Sequence, residues 1–338
     1  MKKRYKALLA AMLTGALAAG CLAGCGKMDG TAGGKMKKVT LNEVAHSIFY
    51  APQYAAIELG YFEEEGIDLT LVNGAGADKV MTALISGDAQ IGFMGSEASI
   101  YVSQEGADDP AVNFAQLTQR AGNFLVGRTA QPDFKWEDLK GRKVLGGRKG
   151  GMPEMVFEYI LKENGIDPEK DLTIIQNIDF GSTAPAFADG RGDFTIEFEP
   201  GATSLESEGK GHVIASLGKD SGYVPYTAFS AKKSYLKENP DVIQRFTNAL
   251  QKGMDYVRSH SPSETASVIK PQFPETTLEM ITTIVTRYYE QDTWKSNLIF
   301  EESSFDLLQD ILESAGELEK RAPYKDLITT EFAENAAK

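Results

Sequence analysis

The sequence predicts an α/β fold in which strands and helices alternate along the chain. From Val39 onward, short apolar runs are separated by segments whose apolar residues recur every three to four positions, which is the pattern of βαβ units. Gly60, Gly87 and Gly165 follow three of the helical segments, where a glycine can end a helix. Beyond Pro225 the pattern becomes mostly helical.

Each element is predicted from its own periodicity. A two-residue alternation or a short apolar run indicates a strand, and a period of 3.6 residues indicates a helix. Asn239 and Pro240 supply an N-cap and a first helical residue for one C-terminal helix. The predicted strands are 39–44, 67–72, 90–94, 113–119, 124–126, 143–145, 172–176, 193–199, 213–216 and 227–231. The other predicted helices are 52–59, 79–86, 97–104, 136–139, 153–164, 182–188, 203–208, 275–289 and 304–314.

The N-terminus has the features of a bacterial export signal. Four basic residues among the first six precede an apolar segment, 7–19, that is too short to span a bilayer comfortably. Residues 22–25, Leu-Ala-Gly-Cys, then match the cleavage and lipidation box of bacterial lipoproteins. We therefore expect 1–25 to be a lipoprotein signal peptide, Cys25 to carry fatty acyl chains such as palmitate, and 26–37 to be a flexible tether. The alternative is an ordinary secretory signal in which Cys25 is incidental.

Composition and charge exclude several functions. Without residues 1–25, 313 residues remain, enough for two domains or for one large α/β unit. Removing their four positive charges takes the formal charge from −13 to −17, which argues against nucleic acid and anionic membrane surfaces as partners. Cys21 and Cys25 are the only cysteines, and the three histidines are scattered. We therefore expect no disulfide, no metal site and no cofactor, and a monomer attached through its lipid to the extracytoplasmic face of the cell membrane.

Three glycine-containing turns each join a predicted strand to a predicted helix. The run 146–151 matches the start of a phosphate loop, but Met152 and Pro153 stand where such a loop has Lys and Ser or Thr, so nucleotide hydrolysis is not expected. Glycines let a ligand approach the backbone, and a helix N-terminus favours an anion or a carbonyl-like acceptor. The alternatives are tight structural turns, and for Ser96 a helix cap. The candidate ligand-binding residues of these turns are Gly76, Ser96, Glu97, Arg148, Gly150, Gly151 and Met152.

Two other segments add polar candidates. The loop after the first strand contains His46, Ser47 and Tyr50, which can hydrogen-bond to a planar ligand or stack on it; the same side chains can instead serve the core. In strand 193–199, alternation places Glu197 and Glu199 on one face, where carboxylates can accept hydrogen bonds from an amine or amidine. Because no third catalytic group and no nucleophile elbow accompany them, binding is favoured over catalysis.

Several motifs resemble one family of transport proteins. The runs 49–56, Phe-Tyr-Ala-Pro-Gln-Tyr-Ala-Ala, and 60–69, beginning Gly-Tyr-Phe-Glu, are similar to the solute-binding proteins of ABC importers. The group is that for nitrate, taurine, alkanesulfonates and the thiamine pyrimidine precursor. The run 83–92 resembles the next helix–strand unit of that family, 138–144 resembles its entry into the second domain, and Glu199-Pro200 matches a common strand ending. The resemblance covers roughly residues 38 to 257.

The resemblance implies a type II periplasmic-binding-protein fold, with two lobes, a ligand cleft between them and two hinge crossovers. Lobe one would comprise 38–124 plus 226–338, and lobe two 125–225. The lobes would close over a small-molecule ligand, and an ABC permease with its ATPase would recognise the closed state. A sensor that serves a receptor instead of a permease would have the same sequence features.

The chemical class of the ligand stays open between two alternatives. Arg148 and its glycine turn favour an anion such as a sulfonate or nitrate. Glu197, Glu199 and the aromatic loop favour a planar amino-heterocycle such as a thiamine pyrimidine precursor. We prefer the heterocycle, since desolvating two carboxylates beside an anion would cost several kcal/mol. A pyrimidine-synthesising enzyme of the same fold is the rival class, but its Cys-rich motif is missing here, so we expect a protein that is not an enzyme.

Overall fold

The strands of the protein lie in two separate sheets. The computed structural model describes residues 36–178 and 180–338, so the predicted signal peptide, Cys25 and most of the predicted tether lie outside the described residues. The strands are β1 (Lys37–Glu43), β2 (Ile67–Asn73), β3 (Ile91–Met94), β4 (Ala111–Thr118), β5 (Asn123–Gly127), β6 (Lys143–Leu145), β7 (Thr173–Ile175), β8 (Phe194–Phe198), β9 (His212–Ser216) and β10 (Thr227–Lys232).

Helices connect most of these strands and make up nearly all of the chain after β10. Short 3₁₀ segments occur at Ile48–Tyr50, Trp136–Leu139, Phe180–Ser182 and Lys270–Gln272. The α-helices are α1 (Ala51–Glu58), α2 (Tyr61–Glu64), α3 (Ala77–Ser86), α4 (Glu97–Gln104), α5 (Met152–Glu163), α6 (Thr183–Ala188), α7 (Gly201–Ser207), α8 (Leu217–Asp220), α9 (Lys233–Glu238), α10 (Pro240–Ser259), α11 (Pro262–Ile269), α12 (Leu278–Glu290), α13 (Glu302–Ser314), α14 (Tyr324–Leu327) and α15 (Glu331–Ala336).

The two sheets have the same plan. In the first, in the order β2-β1-β3-β10-β4, the first three strands are parallel and β10 is antiparallel to both neighbours. In the second, in the order β7-β6-β8-β5-β9, the first three strands are again parallel and β5 is antiparallel to both neighbours. We call the parts built on these sheets lobe one and lobe two. The chain crosses from lobe one to lobe two between β4 and β5 and returns between β9 and β10.

These crossovers agree with the two-lobed α/β fold predicted from the sequence. The predicted boundary between 124 and 125 falls within β5, and the boundary between 225 and 226 comes just before β10. The bounds of β6, α4 and the 3₁₀ segment Trp136–Leu139 agree with the predicted 143–145, 97–104 and 136–139. The other predicted elements differ by one to three residues at an end. The helix predicted from 275 begins at Leu278 because the Thr277 side chain caps it, accepting from the Met280 N–H at 3.2 Å.

Close packing of helices on lobe one supports the first sheet. Helix α10 buries Ile243, Phe246 and Leu250, as its periodicity predicts. Gly253 allows α10 to approach α1, since a Cβ at this position would lie 2.2 Å from the Pro52 carbonyl oxygen.

Within the ranges that the structure describes, no helix combines the length and the apolar composition that a bilayer crossing requires.

Candidate ligand site between the lobes

The glycine-containing turns lie at the carboxyl ends of parallel strands, where α/β sheets bind ligands. Gly76 follows β2 and precedes α3, and its φ of +143° favours glycine. Ser96 and Glu97 follow β3, and Glu97 is the first residue of α4. In lobe two, residues 146–151 follow β6 and precede α5. Each lobe therefore presents one sheet edge that carries predicted site residues.

Contacts across the lobes bring these two edges face to face. The Tyr101 hydroxyl on α4 donates to Sδ of Met155 on α5 at 3.8 Å. The positive charge of Arg148 lowers the pKa of Glu97, so the two side chains lie within electrostatic reach of each other. The candidate cleft lies between the start of α4 in lobe one and the turn before α5 in lobe two.

Glu97 is a buried carboxylate on the lobe-one side of this cleft. Its relative exposure is 6%, and its Oε2 atom has no hydrogen-bond partner among the described residues. Gly95 leaves room for it, because a Cβ at this glycine would lie 2.2 Å from Oε2. Burial raises the pKa of Glu97 to about 7, whereas its own backbone N–H and the charge of Arg148 act in the opposite direction. The carboxyl group can therefore accept or donate a hydrogen bond near neutral pH.

The Glu97 carboxylate lies within electrostatic reach of three tyrosines, Tyr50, Tyr101 and Tyr226. Burial is the main cause of the raised pKa of each hydroxyl, and the negative charge of Glu97 adds to it. The Tyr226 hydroxyl donates to Oδ1 of Asn123 at 2.8 Å, and the Nδ2 atom of Asn123 has no partner among the described residues. The site therefore combines flat aromatic faces with a free acceptor and a free donor.

His46 and Ser47 are engaged within lobe one. The Nδ1 atom of His46 lies 2.8 Å from Oε1 of Glu43, and its Nε2 atom lies 2.9 Å from the Gln272 carbonyl oxygen. The hydrogen bond to Glu43 raises the pKa of His46, whereas burial opposes this. The Ser47 hydroxyl accepts from the Phe49 N–H at 3.3 Å. Both ring nitrogens of His46 are thus occupied by groups of the protein.

Glu197 has internal partners for both carboxylate oxygens. Thr183 donates to Oε2 at 3.0 Å, and Thr195 donates to Oε1 at 2.6 Å. Burial raises the pKa of Glu197 to about 7, although these two hydroxyl groups lower it.

Glu199 is likewise paired, just beyond the end of β8. Its Oε2 atom accepts from the Thr203 N–H at 2.9 Å, and its Oε1 atom accepts from Nη1 of Arg287 at 2.5 Å. The side chain of Glu199 is fully buried. A ligand that used Glu197 or Glu199 would therefore compete with hydrogen bonds that already exist.

The turn before α5 also has an internal acceptor. The Gly150 N–H donates to Oε2 of Glu154 at 3.1 Å, while Gly151 caps α5 and Met152 is 3% exposed. Burial raises the pKa of Glu154 to about 7, and the neighbouring Glu158 adds to this. A carboxylate of the protein thus occupies part of the site that an anionic ligand would use.

Ser96 does not make the capping contact that its position in the sequence suggested. It is the N-cap residue of α4, but its side chain accepts no capping hydrogen bond. Its hydroxyl donates instead to the Pro225 carbonyl oxygen, which lies in the second crossover between the lobes. Ser96 therefore ties the start of α4 to this crossover.

Of the predicted site residues, the structure brings together Tyr50, Glu97 and Arg148. Glu197 and Glu199 instead accept hydrogen bonds from other groups of the protein. Sequence reasoning missed Tyr101 and Tyr226. Tyr101 lies one helical turn after Glu97 on α4, a spacing that could have indicated it, but no local pattern marks Tyr226.

Over 36–178 and 180–338, no group of three or more His, Cys, Asp or Glu side chains is placed to bind a metal.

This two-lobed fold, with polar residues at the facing edges, is that of the periplasmic binding proteins. Among solved structures, the ligand-binding component of an ABC-type import system from Staphylococcus aureus matches with a TM-score of 0.72 and 15% identity, over 89% of this chain and 99% of that one. The alkanesulfonate-binding protein SsuA from Xanthomonas axonopodis, bound to MOPS, matches with a TM-score of 0.70 and 15% identity, over 88% and 99%. These similarities confirm the fold predicted from the sequence.

Residues 47–264 match the family model described as NMT1/THI5 like, and the chain belongs to this family. YtlA of Bacillus subtilis strain 168, described as a binding protein, is 48% identical over 88% of this chain and 90% of its own length. The 4-amino-5-hydroxymethyl-2-methylpyrimidine phosphate synthase of Candida albicans is 20% identical over 63% of this chain and 64% of its own length. The family resemblance noted in the sequence is thereby confirmed.

Proposed function

We propose that this protein is the extracytoplasmic solute-binding component of an ABC importer, held at the membrane by a lipid on Cys25. The observation that carries the proposal is the unpaired carboxylate of Glu97, buried among tyrosines where the two lobes face each other. A ligand at this point would contact both lobes and favour their closed arrangement. The permease would recognise that arrangement, and its ATPase would drive uptake.

We further propose that the ligand is a planar heterocycle with an amino group, such as a thiamine pyrimidine precursor. An amino group supplies the donor that Oε2 of Glu97 lacks, and aromatic side chains favour a flat ring. The name of the Candida albicans relative, which specifies an aminopyrimidine phosphate as its product, also supports this class. Glu197 and Glu199 remain candidates for the same role, at the expense of their present hydrogen bonds.

A sulfonate or nitrate-like anion is the second candidate ligand, and Arg148 is the observation that favours it. This residue is exposed beside the N-terminus of α5, and the Xanthomonas structure with the same fold is that of an alkanesulfonate-binding protein. Two acidic side chains near Arg148 disfavour the binding of an anion. Glu154 already accepts from the Gly150 N–H, and Glu97, when ionised, would repel a second negative charge.

Ligand stabilisation of the purified protein tests the choice between these classes. At a ligand concentration one hundred times its dissociation constant, binding should add about 2.7 kcal/mol to the free energy of unfolding. We expect 4-amino-5-hydroxymethyl-2-methylpyrimidine to raise the melting temperature and ethanesulfonate, an anion without an amino group, to leave it unchanged. The reverse result would favour the anion, and no shift with either compound would contradict both ligand assignments.

We also propose that binding occurs without chemical change to the ligand. Both ring nitrogens of His46 are engaged by Glu43 and Gln272, so the histidine is not free to react. Mass spectrometry of the ligand recovered after prolonged incubation should return the starting mass. A product of different mass would favour the pyrimidine-synthase class of this family instead.

Lipid attachment can be tested on the protein extracted from membranes. We expect an N-terminal Cys25 that carries acyl chains, and a Cys25→Ala variant that leaves the membrane fraction. A mature chain that begins after residue 25 would contradict the anchor and leave the solute-binding proposal intact.

A further inference from the structure

The carboxylates around the candidate cleft differ in how well they are paired. Glu154, Glu197 and Glu199 each accept hydrogen bonds from groups of the protein at both oxygens. Glu97 differs from them, because its Oε2 atom has no partner in the described part of the chain. Buried polar atoms of native proteins nearly always have a partner, so a donor from outside the chain could complete the hydrogen bonding of this atom.

The surroundings of Glu97 limit what that group can be. Tyr50 and Tyr226 are buried in lobe one, and the charge of Glu97 raises the pKa of both hydroxyls. Arg148 of lobe two lies within electrostatic reach of Glu97. Tyrosine faces pack well on a flat ring. Gly95 gives the carboxylate its place, since a Cβ at that position would lie 2.2 Å from Oε2. A planar ligand that brings at least one N–H donor would suit these surroundings.

We propose that Glu97 is the specificity-determining residue of the site, and that it pairs with an amidine-like edge of the ligand, an amino group next to a ring nitrogen. This inference rests on the proposed solute-binding function. The amino N–H donates to one oxygen of Glu97. The second bond joins the other oxygen to the ring nitrogen through a single proton.

The position of that proton does not change the pairing. A protonated carboxyl donates to a neutral ring nitrogen, and an ionised carboxylate accepts from a protonated one, so the same two bonds form in both cases. Because burial raises the pKa of Glu97 to about 7, either form is accessible near neutral pH. A simple alkanesulfonate or nitrate offers no N–H donor, and a ring without the amino group can make only one of the two bonds.

Titration calorimetry with two probes and four variants tests the pairing. The probes are 4-amino-5-hydroxymethyl-2-methylpyrimidine and its analogue with hydrogen in place of the amino group. The Glu97→Ala variant should bind the amino compound ten- to one-hundred-fold more weakly and should lose less affinity for the analogue, which makes only one of the two bonds. The Glu97→Gln variant should lose less, since an amide still offers one donor and one acceptor. The Gly95→Ala variant should resemble Glu97→Ala, because the added Cβ displaces the carboxylate.

Glu105→Gln is the matched control, since Glu105 is exposed at the opposite end of α4. It should bind both probes as wild type does. Without ligand, Glu97→Gln should melt at or above the wild-type temperature, because it removes a buried charge that lacks a partner. A lower melting temperature would indicate a structural role for Glu97 and would count against the inference.

The outcomes separate this inference from the function on which it rests. Wild-type affinity of Glu97→Ala for the amino compound, or equal losses for both probes, would overturn the pairing and leave the solute-binding function standing. If the wild-type protein binds ethanesulfonate and neither pyrimidine, the pairing and the heterocycle are both overturned, while a solute-binding function remains. If it binds none of the three compounds, the pairing and both ligand assignments are overturned.

Discussion

Arg287 of α12 and Glu199 of lobe two form a buried ion pair, with Nη1 2.5 Å from Oε1. The same guanidinium donates to Thr203 at 2.9 Å and pairs with Glu206. Because α12 follows β10, which is part of the first sheet, this pair joins the two lobes near the end of β8. The carboxylate that alternation in the sequence suggested for a ligand is thus paired with an arginine 88 residues away in the chain.

The Arg287→Met variant should lose about 3 kcal/mol of unfolding free energy, because it leaves Glu199 buried without a counter-ion. Urea denaturation measures the loss. Arg321→Met is the matched control, since Arg321 pairs with Asp310 and Glu313 on an exposed surface, and we expect it to change stability little. Equal effects of the two variants would contradict a special contribution of the pair between the lobes.

The stability that the pair of Glu43 and His46 contributes should decrease as the pH rises. An ion-paired acidic group of ordinary kind shows the opposite trend. The hydrogen bond to Glu43 raises the pKa of His46 above 6.5, although burial lowers it. The folded state therefore binds this proton more tightly than the unfolded state. The stability that results is fully present below pH 6.5 and is lost as the pH rises through the raised pKa.

Proton NMR titration of the His46 ring should give a midpoint above 6.5, and Glu43→Gln should lower it. A midpoint that does not move in this variant would show that Glu43 has no effect on the charge of the imidazole.

The buried carboxyl groups of the cleft should also make the protein less stable as the pH rises. Burial is the main cause of the increase in the pKa of Glu97, Glu154 and Glu197, each to about 7 from 4.5. The folded state then holds protons that the unfolded state releases, so their contribution is present below pH 4.5 and is lost as the pH rises through about 7.

The Glu197→Gln variant should reduce this loss, since a glutamine does not ionise. Denaturation at pH 5 and pH 8 measures the difference between the variant and the wild type. Glu313→Gln is the control of opposite sign, because hydrogen bonds from Arg321 lower the pKa of Glu313, and its effect should appear only in acid. Wild-type pH dependence in the Glu197 variant would contradict the prediction.

Local patterns predicted most of the elements of this fold. Strand β6 and helix α4 have the bounds that periodicity indicated, because each is flanked by glycine or polar turn residues. Helix α12 begins three residues later than predicted, since the choice of Thr277 as its cap depends on a side-chain hydrogen bond. The C-terminal helices α11 and α15 were not predicted individually, although Ser261 and Glu264 form a capping box at the start of α11.

The candidate site was less predictable, because its chemistry depends on partners that are distant in the sequence. Alternation placed Glu197 and Glu199 on one face of their strand, and the structure buries both, but the pattern contained no information about Thr183 or Arg287. The sequence identified Glu97 only as a residue that follows a strand. Its unpaired oxygen can be recognised only in the tertiary structure, which contains Tyr226 and the second crossover. Periodicity reports which face of an element is buried, not which polar groups meet there.

Closure of the lobes on ligand is the last prediction. The Tyr101 hydroxyl and the Met155 sulfur are 3.8 Å apart across the cleft, so this contact exists only when the lobes are close. A ligand that binds Glu97 and Arg148 together has more contacts in the closed arrangement, and it should increase that population. Solution X-ray scattering should therefore give a smaller radius of gyration with the aminopyrimidine than without it. The same compound should leave the profile of Glu97→Ala unchanged at a concentration that saturates only the wild type, and identical profiles of the free and saturated wild-type protein would rule out a hinge motion.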